Sequence, residues 1–539
     1  MPTLVVRVRG AEHRLSFVPG QSVRSLLDAT DFRVRSACHG IGACGLCRIR
    51  VLGGDAGEPT ANERYHLAAG ELQQGIRLAC QVKPLGDLVI AVLNTAPASR
   101  WKSPPFSLLR EHGAVPDGTL RPVPVAVSTP LGVAVDIGTT NISLALWNLR
   151  DGVPMAERRA LNPQAGFGAD VVSRLLAADA SRDSAAALSR CLVEAIRDGL
   201  WDISAREGFE LRQVVRITLV ANTAMLALLT DCGHGHLLQP AHWAEHIACT
   251  PTDVASWIEQ WGVHSEAQVE VVQPLAGFVG SDLLAGLLAT RLIEGDAPAL
   301  FVDVGTNSEI ALWNGQAMWV TAAAGGPAFE SGGVSHGMPA ETGAVYRVHL
   351  DADHDTLRYE VIGESAGKGI CGSGLVDLLA ALRRSGRLTA RGHLRDGGQP
   401  VTRFAFSAGG PDLALTNHDV DALQRAKAAV ATGIQVLCLR AGIAPQDLAR
   451  VCVAGAFGRD LDVANAQSIG LLPAARGARY ELVGNTALSG CSDLLLHTEA
   501  AERLARIETA ARLVNLGQSP EFDDLFLAGL YLEPFATSP

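Results

Sequence analysis

Three cysteines crowd one short loop: SACHGIGACGLCRIRV places Cys38, Cys44 and Cys47 in a C-x5-C-x2-C pattern, and Cys80 follows in RLACQV with 32 residues between. Four thiolates at such spacing can hold the two irons of a [2Fe–2S] cluster. Gly40, Gly42 and Gly45 suit that chemistry, because a loop wrapping a cluster must aim backbone N–H groups at sulfur and often needs positive φ. A structural zinc ion would favour paired C-x2-C knuckles, and Cys38 and Cys80 are not so paired. The other seven of the eleven cysteines lie in apolar or Gly-rich contexts and read as small core hydrophobes.

A second kind of chemistry is written twice. VAVDIGTTN (133–141) and FVDVGTNSE (301–309) each run an apolar strand into an Asp and a Gly-Thr turn, with the two Asp residues 167 positions apart. A hairpin turn of this composition offers N–H and O–H donors to phosphate oxygens, while the Asp at the strand end organises Mg²⁺, usually through water. Asp136, Gly138, Thr139, Thr140 and Asp303, Gly305, Thr306, Asn307 would clamp one triphosphate between them. A third segment, VCVAGAFGRDLDVANAQSIGLLP, supplies Gly455, Ala456, Phe457 and Gly458 as a turn against which a purine and ribose can lie. The ordered trio resembles the ATPase domain shared by sugar kinases, heat-shock chaperones and actin.

The elements that must position these residues fall into separate units. At 539 residues the chain exceeds one core and predicts a multidomain protein of mixed α+β and α/β class. TLVVRVRGAEHRLSFV gives two β-rich runs around Gly10, Pro19-Gly20 leads into a short helix with Leu26 and Leu27, and Leu88 to Val92 closes a small β-grasp ferredoxin unit over 1–93. Residues 94–130 hold seven prolines in 37 positions and read as an extended linker. From Leu131 to residue 539, strands ending in Gly-rich turns alternate with helical patterns such as ADVVSRLLAADA, which predicts an actin-like ATPase domain of two subdomains. A net charge of -11 argues against nucleic-acid binding. No stretch of about 18 apolar residues occurs, so the sequence predicts a cytoplasmic protein with no membrane partner.

A [2Fe–2S] ferredoxin joined by a linker to an actin-like ATPase resembles the reductive activators of corrinoid enzymes. LVANTAM, LAGFVGSD, GGPAFESGG, GKGICGSGLVDLL and VGNTALSG are all similar to segments of that family's C-terminal domain. Some members carry an extra small domain after the linker; here Pro130 runs almost directly into Val133 and leaves no room for one. The resemblance implies an ATP-hydrolysing activase: an external ferredoxin, flavodoxin or reductase reduces the cluster, and one electron passes to an inactive Co(II) corrinoid on a methyltransferase or corrinoid protein, restoring Co(I). Plant-type clusters sit near about −400 mV, and the resemblance implies a Co(II)/Co(I) couple lower still, so Mg-ATP would pull an unfavourable step forward. A homodimer is compatible with this reading. Rival readings are an ATP-gated electron donor to a non-corrinoid metalloenzyme and a redox-sensing small-molecule kinase.

Three weaker signals carry less. GKGICGSG contains G-x-G-x-x-G but lacks a preceding strand pattern and a partner acid. His242, Glu245 and His246 form H-x-x-E-H, yet Pro240 and Trp243 suggest a packed helix start. Lys368 has neither the Gly spacing nor the following Ser or Thr of a P-loop.

Overall fold

The computed structural model describes residues 2–535 except residues 9, 37, 39, 97–98, 105–117, 331, 342, 352–355, 363–366, 396–400, 405–412, 456 and 458–459. The N-terminal sheet is built from β1 (Thr3–Val8), β2 (Ala11–Ser16), β3 (Arg48–Gly54), β4 (Ile76–Leu78) and β5 (Leu88–Val92) in the order β2-β1-β5-β3-β4. β1 pairs antiparallel with β2 across the Gly10 turn and parallel with β5, the β-grasp arrangement. Leu4, Val6, Leu27, Ile49, Leu78 and Ile90 close its core under the helix Val23–Asp28. The loop of Cys38, Cys44 and Cys47 leads into β3, and Cys80 follows β4, so both ligand segments adjoin this sheet.

Beyond residue 130 one sheet plan is used twice. β6 (Leu131–Ile137), β7 (Asn141–Asn148), β8 (Val153–Leu161), β9 (Val214–Ala221) and β10 (Gln268–Val271) stand in the order β10-β9-β6-β7-β8. β11 (Ala299–Val304), β12 (Ser308–Trp313) and β13 (Met318–Ala323) then repeat the antiparallel hairpin and its third strand. β14 (Ala344–Asp351), β15 (Thr356–Val361), β16 (Gly369–Ile370), β17 (Val401–Phe404) and β18 (Leu413–Thr416) form two small sheets inserted in this second half. β19 (Arg450–Gly455), β20 (Arg479–Gly484) and β21 (Ala511–Leu513) complete the order β20-β19-β11-β12-β13-β21. In each half the first strand lies between its hairpin partner and a parallel strand, and core clusters on the two sides of the sheet bury both its faces. That placement explains the near-continuous apolar runs in LGVAVDI and ALFVDV.

Each half has its own core, the first against the helix Arg182–Glu207 and the second against Gly372–Arg384 and Asn417–Ala441. A third cluster fills the space between them, where the helices Ser281–Thr290 and Thr486–Leu496 pack on one another. Thr486–Leu496 follows β20 of the second sheet yet docks on the first: Ser492 accepts from Trp147 Nε1 at 3.1 Å. The crossing delivers the residues at its N-terminus into the cleft between halves.

The described flanks of the proline-rich segment are anchored. Trp101 is fully buried in the first-half core, Lys102 exchanges backbone hydrogen bonds with Arg159 of β8, and Arg121 donates its amide to Leu496. Among the described residues no helix is long and apolar enough to cross a membrane.

Candidate functional site

The cluster loop is braced from its own domain. A capping box of Thr60 and Glu63 starts the helix Ala61–His66, and Glu63, fully buried, pairs with Arg77 at 2.8 Å and accepts the amide of Leu78. Gln81 donates to Cys80 Sγ at 3.5 Å, and Asn62 donates to the Ile41 carbonyl at 2.8 Å. Gly40, Gly42 and Gly45 all take positive φ, and a Cβ on Gly42 would fall 2.7 Å from Asn62 Nδ2. The thiols associate as two pairs. Cys38 stands beside Cys44, where burial is outweighed by hydrogen bonds from the Cys44 thiol and the amides of Gly42, Ala43 and Cys44, so its thiol titrates lower than usual. Cys47 bonds Cys80, which with Gln81 and the charge of Arg24 brings the Cys80 thiol down to about 6 against burial, while Cys47 is pushed up. Two thiolates for each iron, in a loop whose amides face sulfur, fit a [2Fe–2S] cluster; among the described residues the side chains do not converge on a single metal position.

The two Gly-Thr turns face one another across the cleft. In the first, Gly138 N–H closes the turn on Asn141 at 2.8 Å, and Asn162, at the end of β8, donates to the Gly138 carbonyl at 2.9 Å. Asn222 Nδ2 donates to Thr139 Oγ1 at 3.1 Å, and Arg174 to the Thr139 carbonyl at 2.7 Å. Asn485 Nδ2 reaches Asp136 at 2.8 Å from the crossing helix. Asn222 and Asn485 both N-cap the helix that follows a sheet strand, in the matching strings Asn222-Thr223-Ala224 and Asn485-Thr486-Ala487. In the second turn Thr306 donates its amide to Glu330 at 2.7 Å and its hydroxyl to the same oxygen, and Thr140 of the first turn donates to that carboxylate at 3.3 Å. Glu330 therefore links the hydroxyls of both turns.

Charge gathers where the turns meet. Burial raises Asp136 to about 6 against the Asn485 bond. Asp282, at the start of the helix Ser281–Thr290, rises to about 7 through burial and the charge of Asp136. Asp303 rises to about 8 through burial and then the charges of Asp282, Asp136 and Glu330. Glu309, cross-strand from Asp303, is pushed well above its ordinary value by burial and then the charges of Asp282, Asp303 and Glu330. Glu309 is buried and the three Asp side chains are half-buried, and a bound divalent cation would relieve their repulsion.

The structure thus brings Asp136, Gly138, Thr139, Thr140, Asp303, Gly305, Thr306 and Asn307 together. Gly455 joins them from β19: its φ is +86° and a Cβ there would meet Asp303 Oδ1 at 2.2 Å. Phe457 is buried against Phe329, their ring centroids 5.3 Å apart, while Ala456 and Gly458 lie outside the described residues. Sequence reasoning did not single out Asp282, Glu330, Asn222 or Asn485; the repeated Asn-Thr-Ala after an apolar strand was the available signal for the last two. Of the weaker motifs, Gly372 and Gly374 serve close packing, since Cβ atoms would strike the carbonyls of Phe329 and Val345 at 2.2 and 2.4 Å. His242 ends a 3-10 turn, Pro240–His242, and bonds Glu245 at 2.8 Å, so no helix aligns His242 with His246.

A cluster-binding β-grasp domain carried on a duplicated two-sheet fold with facing phosphate turns defines a ferredoxin fused to a nucleotide-binding ATPase-type protein. Residues 6–85 match the family described as 2Fe-2S iron-sulfur cluster binding domain, 131–294 the RACo middle region, and 297–538 the C-terminal domain of RACo, the ASKHA domain. The last two matches meet between the two sheets. The chain is 32% identical over 419 residues to the corrinoid activation enzyme RamQ of Eubacterium limosum, covering 74% of this chain and 69% of that protein. It is 28% identical over 291 residues to the [Co(II) methylated amine-specific corrinoid protein] reductase of Methanosarcina barkeri, covering 49% of this chain and 52% of that protein. The solved structure of a reductive activator for corrinoid,iron-sulfur protein shares the fold, with a TM-score of 0.67, 24% identity and 99% of each chain covered. The chain belongs to the family of reductive activators of corrinoid enzymes.

Proposed function

We propose that this protein is an ATP-dependent reductive activator that returns an inactive Co(II) corrinoid on a methyltransferase or corrinoid protein to Co(I). The observation that carries the reading is the joining, in a chain of this family, of a four-thiolate loop to two phosphate turns that face each other across one cleft. When bound, the [2Fe–2S] group supplies one-electron transfer. Cys38, Cys44, Cys47 and Cys80 hold it, and Gln81 and the loop amides favour the thiolate form. Thr139, Thr140, Thr306 and Asn307 bind phosphate oxygens of ATP, on turns that Gly138 and Gly305 shape. Asp136 and Asp303, with Asp282 between their fields, organise Mg²⁺ through water, and Gly455 gives the nucleotide close access beside Asp303. Phe457, with Ala456 and Gly458, belongs to the turn that lines the adenosine side. An external ferredoxin, flavodoxin or reductase serves as electron donor, and the protein works in the cytoplasm, with a homodimer as one form.

The test is an anaerobic optical titration of cluster-loaded protein, a low-potential reductant and a Co(II) corrinoid methyltransferase, with and without Mg-ATP. Accumulation of Co(I) only with ATP is the expected result. Continued ATP hydrolysis with cobalt left as Co(II), across several corrinoid proteins, overturns the reading in favour of a different metalloenzyme target.

A further inference from the structure

The ferredoxin domain meets the first sheet through buried charge. Arg24 donates to Glu207 at 2.6 Å, and Arg33 pairs with Asp202 at 2.7 Å, each bond joining the ferredoxin domain to the helix Arg182–Glu207. Arg158 of β8 donates to both carboxylates, at 2.8 Å to Asp202 and 2.7 Å to Glu207. The charges therefore alternate along a chain that crosses the seam twice, and every side chain in it is less than a tenth exposed. Removing one partner from such a buried set leaves the remaining charge enclosed and unmatched.

Arg24 has a second set of neighbours. Its helix, Val23–Asp28, lies under the cluster loop, with the Arg24 amide bonded to the Ala79 carbonyl at 2.9 Å. A Cβ added to Gly40 would fall 2.9 Å from Arg24 Nη1, and the guanidinium charge acts on both Cys47 and Cys80. One buried cation thus serves a thiolate pair in its own domain and a carboxylate across the seam.

We propose that Arg24 couples the reduction potential of the [2Fe–2S] site to the docking of the ferredoxin domain, with Glu207 as the carboxylate that sets the coupling. Adding one electron makes the thiolate-bound group more negative, a form that a buried guanidinium favours and a buried carboxylate opposes. With Glu207 bonded to Arg24, the guanidinium charge is largely offset at the cluster site; with Glu207 displaced, Asp28, 3.4 Å from Arg24 Nε, is the carboxylate that stays beside it, and the offset is smaller. The docked ferredoxin domain is the stronger one-electron donor. Reciprocally, reduction weakens the Arg24–Glu207 contact by the same factor, since the two equilibria share one coupling free energy. The inference needs the cluster but not the corrinoid reading.

The experiment is an anaerobic, dye-mediated potentiometric titration of the full cluster-loaded chain, with the reduced cluster followed by electron paramagnetic resonance and no cobalt protein present. Glu207→Gln is expected to favour reduction about tenfold, a rise of about 59 mV, and Arg24→Gln to lower the potential. Arg24→Lys, which keeps the charge, restores it to near the wild-type value. Asp202→Asn, in the same seam but bonded to Arg33 and Arg158, leaves the potential unchanged. A wild-type potential in Glu207→Gln with an intact cluster spectrum overturns the proposal, as does an Asp202→Asn shift equal to that of Glu207→Gln. Glu207 lies outside the ferredoxin domain, so its variant decides the matter even where Arg24→Gln fails to retain its cluster. Failure here leaves the activator reading standing, and loss of ATP-dependent Co(I) formation alongside the expected potentials counts against that reading alone.

Discussion

In the first Gly-Thr turn, Asn222, Asn162, Arg174 and Asn485 converge from four elements and fix Thr139, Gly138 and Asp136 by direct hydrogen bonds. In the second turn, Thr306 leans on Glu330, and Asp303 faces carboxylates, with no side-chain bond to it among the described residues. One motif has therefore been given two surroundings. The difference shows in proton affinity: the Asp with an amide partner rises to about 6, the one among carboxylates to about 8. A braced turn is ready for phosphate before ATP arrives, whereas a crowded one is completed by the cation that comes with it.

The sharpest way to break this comparison is to remove the braced carboxylate. Asp136→Ala is expected to lower ATP-dependent Co(I) formation by about 10²-fold or more while the cluster spectrum stays intact; a lost spectrum would mean that Asp136 supports the fold of the cluster domain instead. A smaller effect separates the turns by pH. Because Asp282 and Asp303 are raised in the folded state, the folded chain binds more protons than the unfolded chain from about pH 4 upward, to about 7 and about 8 respectively. Stability without nucleotide or metal should then fall as pH rises through that window and level off above it. Mg²⁺ binds the deprotonated form, so the thermal shift it produces should grow between pH 6 and pH 8. Asp303→Asn should flatten both trends more than Asp136→Asn, and equal flattening would erase the distinction between the turns. The smallest effect concerns the braces: Asn222→Ala loses an N-cap as well as its bond to Thr139, and should cost about 1 kcal/mol in chemical denaturation, with weaker nucleotide binding and little change in the pH trend.

The cluster cysteines and both turns were legible because their chemistry is local: ligand spacing and a Gly-Thr turn are properties of a few consecutive residues. Glu330, Asp282 and the two asparagines were not, since each reaches its partner only after sheets and helices have packed; Glu330 meets Thr140 across 190 positions of chain and Asn485 meets Asp136 across 349. The duplicated sheet plan was visible only as two Asp-x-Gly-Thr strings, because the parallel strands that complete each half lie in different intervals of the sequence. Proline content described the segment after the ferredoxin domain as an extended linker and passed over Trp101, whose large apolar ring is costly to leave in water and is found in the first-half core. The ion seam gave no sequence signal at all, because Arg24 and Glu207 lie in ordinary amphipathic helices until the two surfaces meet.

Strand β8 touches both centres. Arg158 along it grips the carboxylates of the seam, and Asn162, just past its end, grips the turn that receives phosphate. Four residue steps of extended chain span the distance between them, about 13 Å, with β7 paired on one edge and Lys102 on the other. One continuous run of backbone therefore carries a seam arginine at one end and leads into a phosphate-turn asparagine at the other, so the two regions share a single structural member.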